Sequence, residues 1–426
     1  MNITELYELY LQYPSIETDT RRLKKNDLFF ALKGPNFNGN HFAVEALKNG
    51  AAFAIVDEEI LPKHESIIQV DDVLLTLQRL AKYHREQFDI PFLAITGSNG
   101  KTTTKELIHQ VLSSEFKTYT TTGNLNNHIG IPLTILKIKK DAEIAVIEMG
   151  ANHPGEIAGY CTYTLPTHGI ITNCGKAHLE GFGSVEGVRR SKGELYDFLR
   201  KNNGTVFAFD DYDYLHTMSA GIEKVIWYGT KNGFVTGSAI NSDPFLNIRI
   251  NEKEVAETSL VGDYNLPNVL CAITIGRYFS VRDEHIFDAI KNYTPSNSRS
   301  QLIKYGSNEV ILDAYNANPT SMSAAIENFA NMKAERKVLV LGAMMELGNG
   351  SENEHRQIVG EIGKKTWFEV ALVGGDFKNT HGRYHFFPNV EKAASWFEKQ
   401  NFQDCHILIK GSRSMKMEKI LKQDNE

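Results

Sequence analysis

The stretch Ala94-Ile95-Thr96-Gly97-Ser98-Asn99-Gly100-Lys101-Thr102-Thr103-Thr104 constrains this chain more than any other. Phe92 to Ile95 is a short apolar run and reads as a buried strand. The two glycines then force a tight turn. From Lys101 onward the apolar residues fall at Leu107, Ile108, Val111 and Leu112, which is helical spacing. A strand, a glycine turn and a helix that starts with Lys and Thr present backbone N–H groups and a helix N-terminus to phosphate. In such a loop Lys101 bridges the terminal phosphates and the Thr102 hydroxyl holds Mg²⁺. Gly97, Ser98, Asn99, Gly100 and Thr103 complete the cradle. The loop is short: Ile95 stands where the commoner pattern has another glycine. The competing reading is an ordinary strand–helix turn. Strand, loop and helix together favour phosphate, although they do not say what the nucleotide is used for.

The totals set limits. A length of 426 residues implies about two to four domains. Lys and Arg total 46 against 52 acidic residues, a net charge of −6, so no basic excess points to nucleic acid or an anionic membrane. Arg21-Arg22-Leu23-Lys24-Lys25 is basic, but Glu17 and Asp19 flank it, which suits a solvated face or a small-anion site. Met1 to Tyr13 has neither the basic start nor the apolar centre of a signal peptide. No apolar run reaches ~18 residues, so no membrane span is expected. Cys161, Cys174, Cys271 and Cys405 have no paired spacing and read as reduced core residues. A cytoplasmic protein is expected.

Three units follow along the chain: 1–88, 89–296 and 297–426. In the first, 28–32 and 53–56 read as strands, 41–49 as a helix, and Val73, Leu74, Leu77, Leu80 and Ala81 as a helical stripe. The loop from Lys33 to Asn40 is either a plain turn or a ligand loop. In the second, 92–96, 144–148 and 169–173 are continuous apolar runs, as in parallel strands buried on both faces. Helices are expected at 188–199 and 269–279, with short β-like runs between 204 and 261. In the third, strands are expected at 310–313, 337–342, 369–374 and 406–410. A helix carrying Met322, Ala325, Ile326 and Phe329 follows Pro319. Alternation of strands and helices implies α/β architecture throughout, with a Rossmann-like third unit.

Several polar residues stand where chemistry is possible. Glu148 ends an apolar strand, at the mouth where α/β sheets bind ligands, and suits Mg²⁺. It is equally a strand-end carboxylate facing water. His178 follows the next strand and is either a metal ligand, an acid–base group or a structural histidine. Lys192, by composition, is merely a lysine opening a helix. Asp263, Asn265 and Asn268 fit turn and cap positions. Arg299 and Asp313 flank the junction of the second and third units, where a polar linker is the simpler explanation.

In their order, Thr96 to Thr102, Glu148, Asn173 with His178, Lys192-Gly193-Glu194, Tyr264-Asn265 with Asn268, Arg299 and Asp313 resemble the Mur ligases of bacterial cell-wall synthesis. The resemblance covers nearly the whole chain. The stretches 123–132, 148–156, 313–322, 345–348 and 410–416 point, within that family, to the member acting on D-Ala-D-Ala. The ligase that adds the third amino acid differs at the second and third of these. The resemblance implies three α/β domains: an N-terminal UDP-substrate domain (1–88), a central P-loop ATP domain with a mostly parallel sheet (89–296), and a C-terminal Rossmann-like domain (297–426). It implies a monomer whose partners are small molecules only: ATP, D-Ala-D-Ala and a UDP-N-acetylmuramoyl-tripeptide. The product feeds peptidoglycan synthesis, and with it cell shape and division.

The resemblance also implies residue roles. Thr102 and Glu148 hold one Mg²⁺ on the ATP phosphates; His178 and a carbamylated Lys192 serve a second. Lys101, Lys192, His178 and Arg299 form the catalytic set. Asn265 and Asn268 line the adenine end, Arg299 reaches phosphate and Asp313 the ribose. Asp19, Thr20, Arg21, Gly34, Asn40 and His41 hold the UDP part. Asn124, Asn126 and Asn127 contact the muramoyl-peptide, and Tyr315 and Asn316 complete the substrate set. One departure stands out: Ser298 occupies a position where relatives usually have glycine, which costs more if the turn needs φ > 0.

Two other functions compete. A folylpolyglutamate synthetase-like ligase shares the phosphate loop, but such enzymes start near their ATP domain and this chain carries about 88 residues ahead of it. A nucleotide-dependent switch is disfavoured because a guanine-reading Asn-Lys-x-Asp is absent and Lys101, Glu148 and Lys192 are all present.

Overall fold

The computed structural model describes residues 2–61 and 63–421; Met1, Pro62 and 422–426 lie outside the described residues, and with them the outer limits drawn for the first and third units. Three main sheets organise the chain. The first has four parallel strands in the order Ile16–Glu17, Leu28–Phe30, Phe53–Val56, Ile67–Gln69. The expected strand at 28–32 stops at Phe30. The expected helix at 41–49 is a tight turn, Gly39–Phe42, running into the helix Ala43–Lys48.

The second sheet has nine strands. Its phosphate-loop strand, Phe92–Thr96, lies between His168–Ile171 and Ile144–Glu148, all parallel and buried on both faces. Register then places the chemistry. Glu148 pairs with Ile95, and Ile171 with Thr96, so Glu148 and Thr172-Asn173 emerge on either side of Gly97. The apolar run expected at 169–173 ends as a strand at Ile171, which frees Thr172 and Asn173 for the loop. The far end of the sheet turns antiparallel at Val235–Asn241, Asn247–Ile250 and Glu254–Glu257, the β-like runs expected there. Helices Lys101–Ser113 and Leu266–Tyr278 pack together; Thr104 Oγ1 donates to Asn268 Oδ1 at 3.0 Å between them.

The third sheet has six strands in the order Gln301–Tyr305, Asn308–Asp313, His406–Lys410, Lys337–Gly342, Glu369–Val373, His385–Phe387. Five run parallel, and the first is an antiparallel hairpin partner. The expected strand at 310–313 extends over Asn308–Asp313, while its hairpin partner Gln301–Tyr305 and the edge strand His385–Phe387 are not expected from sequence. Helix Val73–Arg85 ties the first sheet to the second: His84 contacts the Ile138 carbonyl at 2.8 Å and Arg85 donates to the Thr164 and Leu165 carbonyls. All four cysteines are buried and free. No described helix is long and apolar enough to cross a membrane.

Between the second and third sheets the backbone is strained. Asn297, Ser298 and Ser300 all hold φ between +49° and +57°, the left-handed region that costs an L-residue roughly 1–2 kcal/mol. A glycine at 298 would take this conformation without that cost. Ser298→Gly is expected to raise the thermal unfolding midpoint, by the equivalent of about 0.5–1 kcal/mol after the entropy that glycine adds to the unfolded chain. An unchanged or lower midpoint in a thermal scan would refute the strain.

Candidate active site

Gly97 has φ +148°, and a Cβ there would overlap the Thr172 hydroxyl. Gly100, with φ +80°, opens the helix, and a Cβ there would come 2.6 Å from Asn268 Oδ1. Glycine at both positions lets neighbouring strands and helices hold the loop closely. Thr172 Oγ1 donates to the Asn99 carbonyl at 2.6 Å, Asn173 Oδ1 accepts from Asn99 N at 3.0 Å, and Ser98 Oγ bonds both the N–H and the carbonyl of Gly175. Lys101 folds back onto the Gly97 carbonyl at 2.7 Å. Burial lowers its pKa, against the attraction of Glu148 and with the repulsion of Arg299. The loop is thus shaped before any phosphate arrives.

Glu148 is 1% exposed. Its Oε1 accepts from Asn126 Nδ2 at 2.8 Å, its backbone N–H donates to Thr121 Oγ1, and its Oε2 is buried with no partner. A buried carboxylate oxygen without a donor is costly unless a cation completes it. Nearby, Lys192 is also 1% exposed; its Nζ donates to the Ala151 carbonyl at 3.1 Å and faces the Phe182 ring. Burial, reinforced by Lys101, pushes its pKa down to about 7. His178, held at φ +51°, stands 2.6 Å by Nδ1 from Glu346 Oε2.

The third sheet brings its own groups over this floor. Arg299 lies 3.5 Å over the Tyr315 ring, and its Nε is buried without a partner. Asp313 accepts from Lys410 Nζ at 2.5 Å and from Ser300 N at 3.2 Å. Asn318, which caps helix Pro319–Asn331, donates to Asn99 Oδ1 of the phosphate loop at 2.7 Å. Thr320 Oγ1 accepts from Lys176 N, and Lys176 Nζ reaches Glu354 at 2.7 Å.

A cavity of about 1120 Å³ results. Ser98 to Thr103, Asn126, Asn127, Glu148, His178, Asn265, Asn268, Arg299, Asp313, Tyr315 and Asn316 all line it. Asn265 and Asn268 are linked, Asn268 Nδ2 donating to Asn265 Oδ1 at 2.9 Å. Gly97 and Lys192 lie behind the lining residues. Among the described residues no cluster of three His, Cys, Asp or Glu side chains is poised for a metal.

The first sheet's residues behave differently. Asp19 and Arg21 pair with each other at 2.6 Å, and that contact holds the Asp19 pKa down to about 2. Like Thr20, Gly34 and His41, they do not border the cavity. Asn40 is 1% exposed, and its amide is bound on both ends, to Asp57 and Asn38, so it braces its loop. Asn124 is exposed and stands off the cavity wall. Asn127 lines the cavity but also accepts from Gly130 N at 2.8 Å, at the start of a helix.

Sequence reasoning missed Asn318 and Glu346 as site members, and Tyr212 and Tyr214 as an aromatic wall. Asn318-Pro319 is a helix-start signature, which identifies a cap but not the loop it meets.

Comparisons with known proteins agree over the full length. Three family profiles match: "Mur ligase family, catalytic domain" at 12–85, "Mur ligase middle domain" at 95–276 and "Mur ligase, glutamate ligase domain" at 298–413. A Bacillus subtilis protein named UDP-N-acetylmuramoyl-tripeptide–D-alanyl-D-alanine ligase is 34% identical, over 99% of this chain and 97% of that protein. Its namesake in Escherichia coli is also 34% identical, over 98% and 95%. The crystal structure of MurF from Acinetobacter baumannii superposes with a TM-score of 0.88 at 30% identity, covering 95% of this chain and 92% of that one. The MurF ligase from Thermotoga maritima in complex with ADP gives 0.86 at 25% identity, covering 96% of each.

Proposed function

The chain belongs to the Mur ligase family, and we infer from its site how it works: it is an ATP-dependent ligase that joins D-Ala-D-Ala to a UDP-N-acetylmuramoyl-tripeptide. The products are the UDP-N-acetylmuramoyl-pentapeptide, ADP and phosphate. One observation carries the mechanism: the phosphate loop, Glu148, and Arg299, Asp313 and Tyr315 of the third sheet line one cavity. At about 1120 Å³ it exceeds the usual 300–1,000 Å³ of a single small-ligand pocket. It has room for ATP and the reacting ends of two further substrates.

A carboxylate is a poor acyl donor because its leaving group would be oxide. Attack of the tripeptide carboxylate on the γ-phosphorus breaks the bond to ADP and makes an acyl phosphate. The dipeptide amine then attacks the acyl carbon, loses a proton, and phosphate leaves. The protein's task is to position three ligands and to balance charge on the phosphoryl group. Loop N–H groups and Lys101 cradle the phosphates, and Arg299, oriented by its stacking on Tyr315, adds charge from the third sheet. Closure over the loop excludes water from the acyl phosphate.

Bound Mg²⁺ would neutralise charge on the transferring phosphoryl group, with Thr102 and Glu148 holding one ion and His178 and Lys192 serving a second. The unpartnered Glu148 Oε2 supports the first assignment. The depressed pKa of Lys192 supports the second: a neutral Nζ can add to CO₂, forming an N–C bond and releasing a proton, which turns a cation into an oxygen ligand. Asn265 and Asn268 face the adenine end, and Asp313 the ribose. Asn126, Asn127, Tyr315 and Asn316 contact the muramoyl-peptide. Asp19, Thr20, Arg21, Gly34 and His41 hold the UDP end on the first sheet's surface. Domain junctions at 88/89 and 296/297 fit the gaps between the three profile matches. One chain completes its own cavity, which suits a monomer. ATP and a UDP-linked substrate suit the cytoplasm, with no nucleic-acid partner.

The test is phosphate release from ATP and Mg²⁺ with UDP-N-acetylmuramoyl-tripeptide, with and without D-Ala-D-Ala, and the product read by mass spectrometry. Lysine and diaminopimelate tripeptides run side by side identify the third residue. Release that depends on the dipeptide is expected; no turnover with either tripeptide would overturn the assignment.

A further inference from the structure

We propose that Glu346, carried by the third sheet's domain, completes the cation site at His178, so that docking of that domain and loading of the site are one event. The inference rests on the two-ion reading above. It starts from a contact. His178 Nδ1 and Glu346 Oε2 stand 2.6 Å apart, an ion pair that joins the ATP domain to the third sheet's domain. An imidazole nitrogen and a carboxylate oxygen held side by side in a cavity wall are within a small adjustment of the spacing of two neighbouring ligands of one ion, about 3 Å.

The chemistry of the ion calls for such a group. Mg²⁺ is hard and binds oxygen; a nitrogen from His178 is a weak offering by itself. Of the two carboxylates that this domain presents to the cavity, Asp313 is already paired with Lys410. Glu346 is the other, and its side chain is half exposed to the cavity.

The backbone is built around the meeting. Both residues are non-glycine and left-handed, at φ +51° and +62°. Such strain persists only where surroundings over-determine it, and it concentrates at functional positions. Glu180 N donates to the Glu346 carbonyl at 3.2 Å, which pins the two segments together two residues from His178. Lys176 fastens the same segment to Thr320 and Glu354. Several of the contacts that dock the domain thus fall on residues 176–180, and the docking itself delivers the carboxylate beside them. Glu346 is a cation-site residue supplied from outside the ATP domain, so an undocked third domain leaves the second site without it.

The experiment is Mn²⁺ titration of the full chain, followed by the electron paramagnetic resonance of free Mn²⁺, with bicarbonate and a non-hydrolysable ATP analogue present. Wild type is compared with Glu346→Gln, which keeps the size, and Glu346→Gly, which also relieves the backbone. Wild type is expected to take two ions. Both variants should bind the first ion within about twofold of wild type, and the second about 10–100-fold more weakly. Two ions bound by the variants with wild-type affinity would overturn this inference and leave the two-ion reading intact. One ion bound by wild type would overturn both.

Discussion

Lys192→Ala is expected to abolish nearly all ligase turnover, lowering kcat by about 10²–10³-fold, the scale of removing one preorganised charge-stabilising group. The loss should fall on the chemical step. Lys192 lies behind the cavity wall, bonded to the Ala151 carbonyl, so ATP affinity measured by calorimetry should change far less than kcat. The mechanism adds a sharper sign. Wild-type activity should drop in CO₂-depleted buffer and return with bicarbonate, because a free amine is what burial provides at this position. The variant has no amine to carbamylate, so bicarbonate should not restore it. Near-normal turnover in Lys192→Ala would remove the carbamate from the mechanism. A wild type indifferent to CO₂ would leave Lys192 as a positioning residue only.

Lys192 also shows what a sequence conceals. By composition it is one more lysine, expected to open a helix; it lies instead in the middle of helix Val185–Lys201, and only likeness to a family singled it out. Its burial depends on Phe182, Cys174 and the Ala151 carbonyl, which approach it from other parts of the chain. The phosphate loop was legible for the opposite reason: its strand, turn and helix are all local, so spacing alone encodes them. Glu148 was legible as a strand end, but its unpartnered oxygen appears only when Asn126 and Thr121 take up its other contacts. Asn40 reads in sequence as an asparagine in a glycine-bearing loop; that Asp57, seventeen residues on, holds its amide shows only in the fold.

The interface between the second and third sheets is the least legible part. Its contacts join residues more than a hundred apart, such as Asn99 with Asn318 and Lys176 with Glu354. Each partner alone is an ordinary cap, turn or surface residue. Only the strained segment at 297–300 left a trace, as Ser298 where the resemblance implied glycine. That trace marks the point where the chain must turn to bring Arg299 over the loop.

Gly97→Ala carries the other large effect. With φ at +148°, alanine is strained before any neighbour is counted. Its Cβ would also overlap the Thr172 hydroxyl, which cannot simply move, because it donates to the Asn99 carbonyl and so helps shape the loop. The loop must shift, and the N–H groups that cradle phosphate shift with it. ATP affinity is expected to fall by about 10²-fold, the scale of effect that a 1 Å misplacement produces at a positioned site. The fold should survive, since Thr96 before it stays paired in the sheet. Adding Thr172→Ala separates the two causes: it removes the overlap but not the φ strain. The double variant should therefore recover part of the lost affinity, while Thr172→Ser, which keeps the hydroxyl, should recover none. Recovery with serine would mean that the methyl group, not the hydroxyl, blocks a Cβ at Gly97. Wild-type ATP affinity in Gly97→Ala itself would show that the loop's conformation does not govern nucleotide binding.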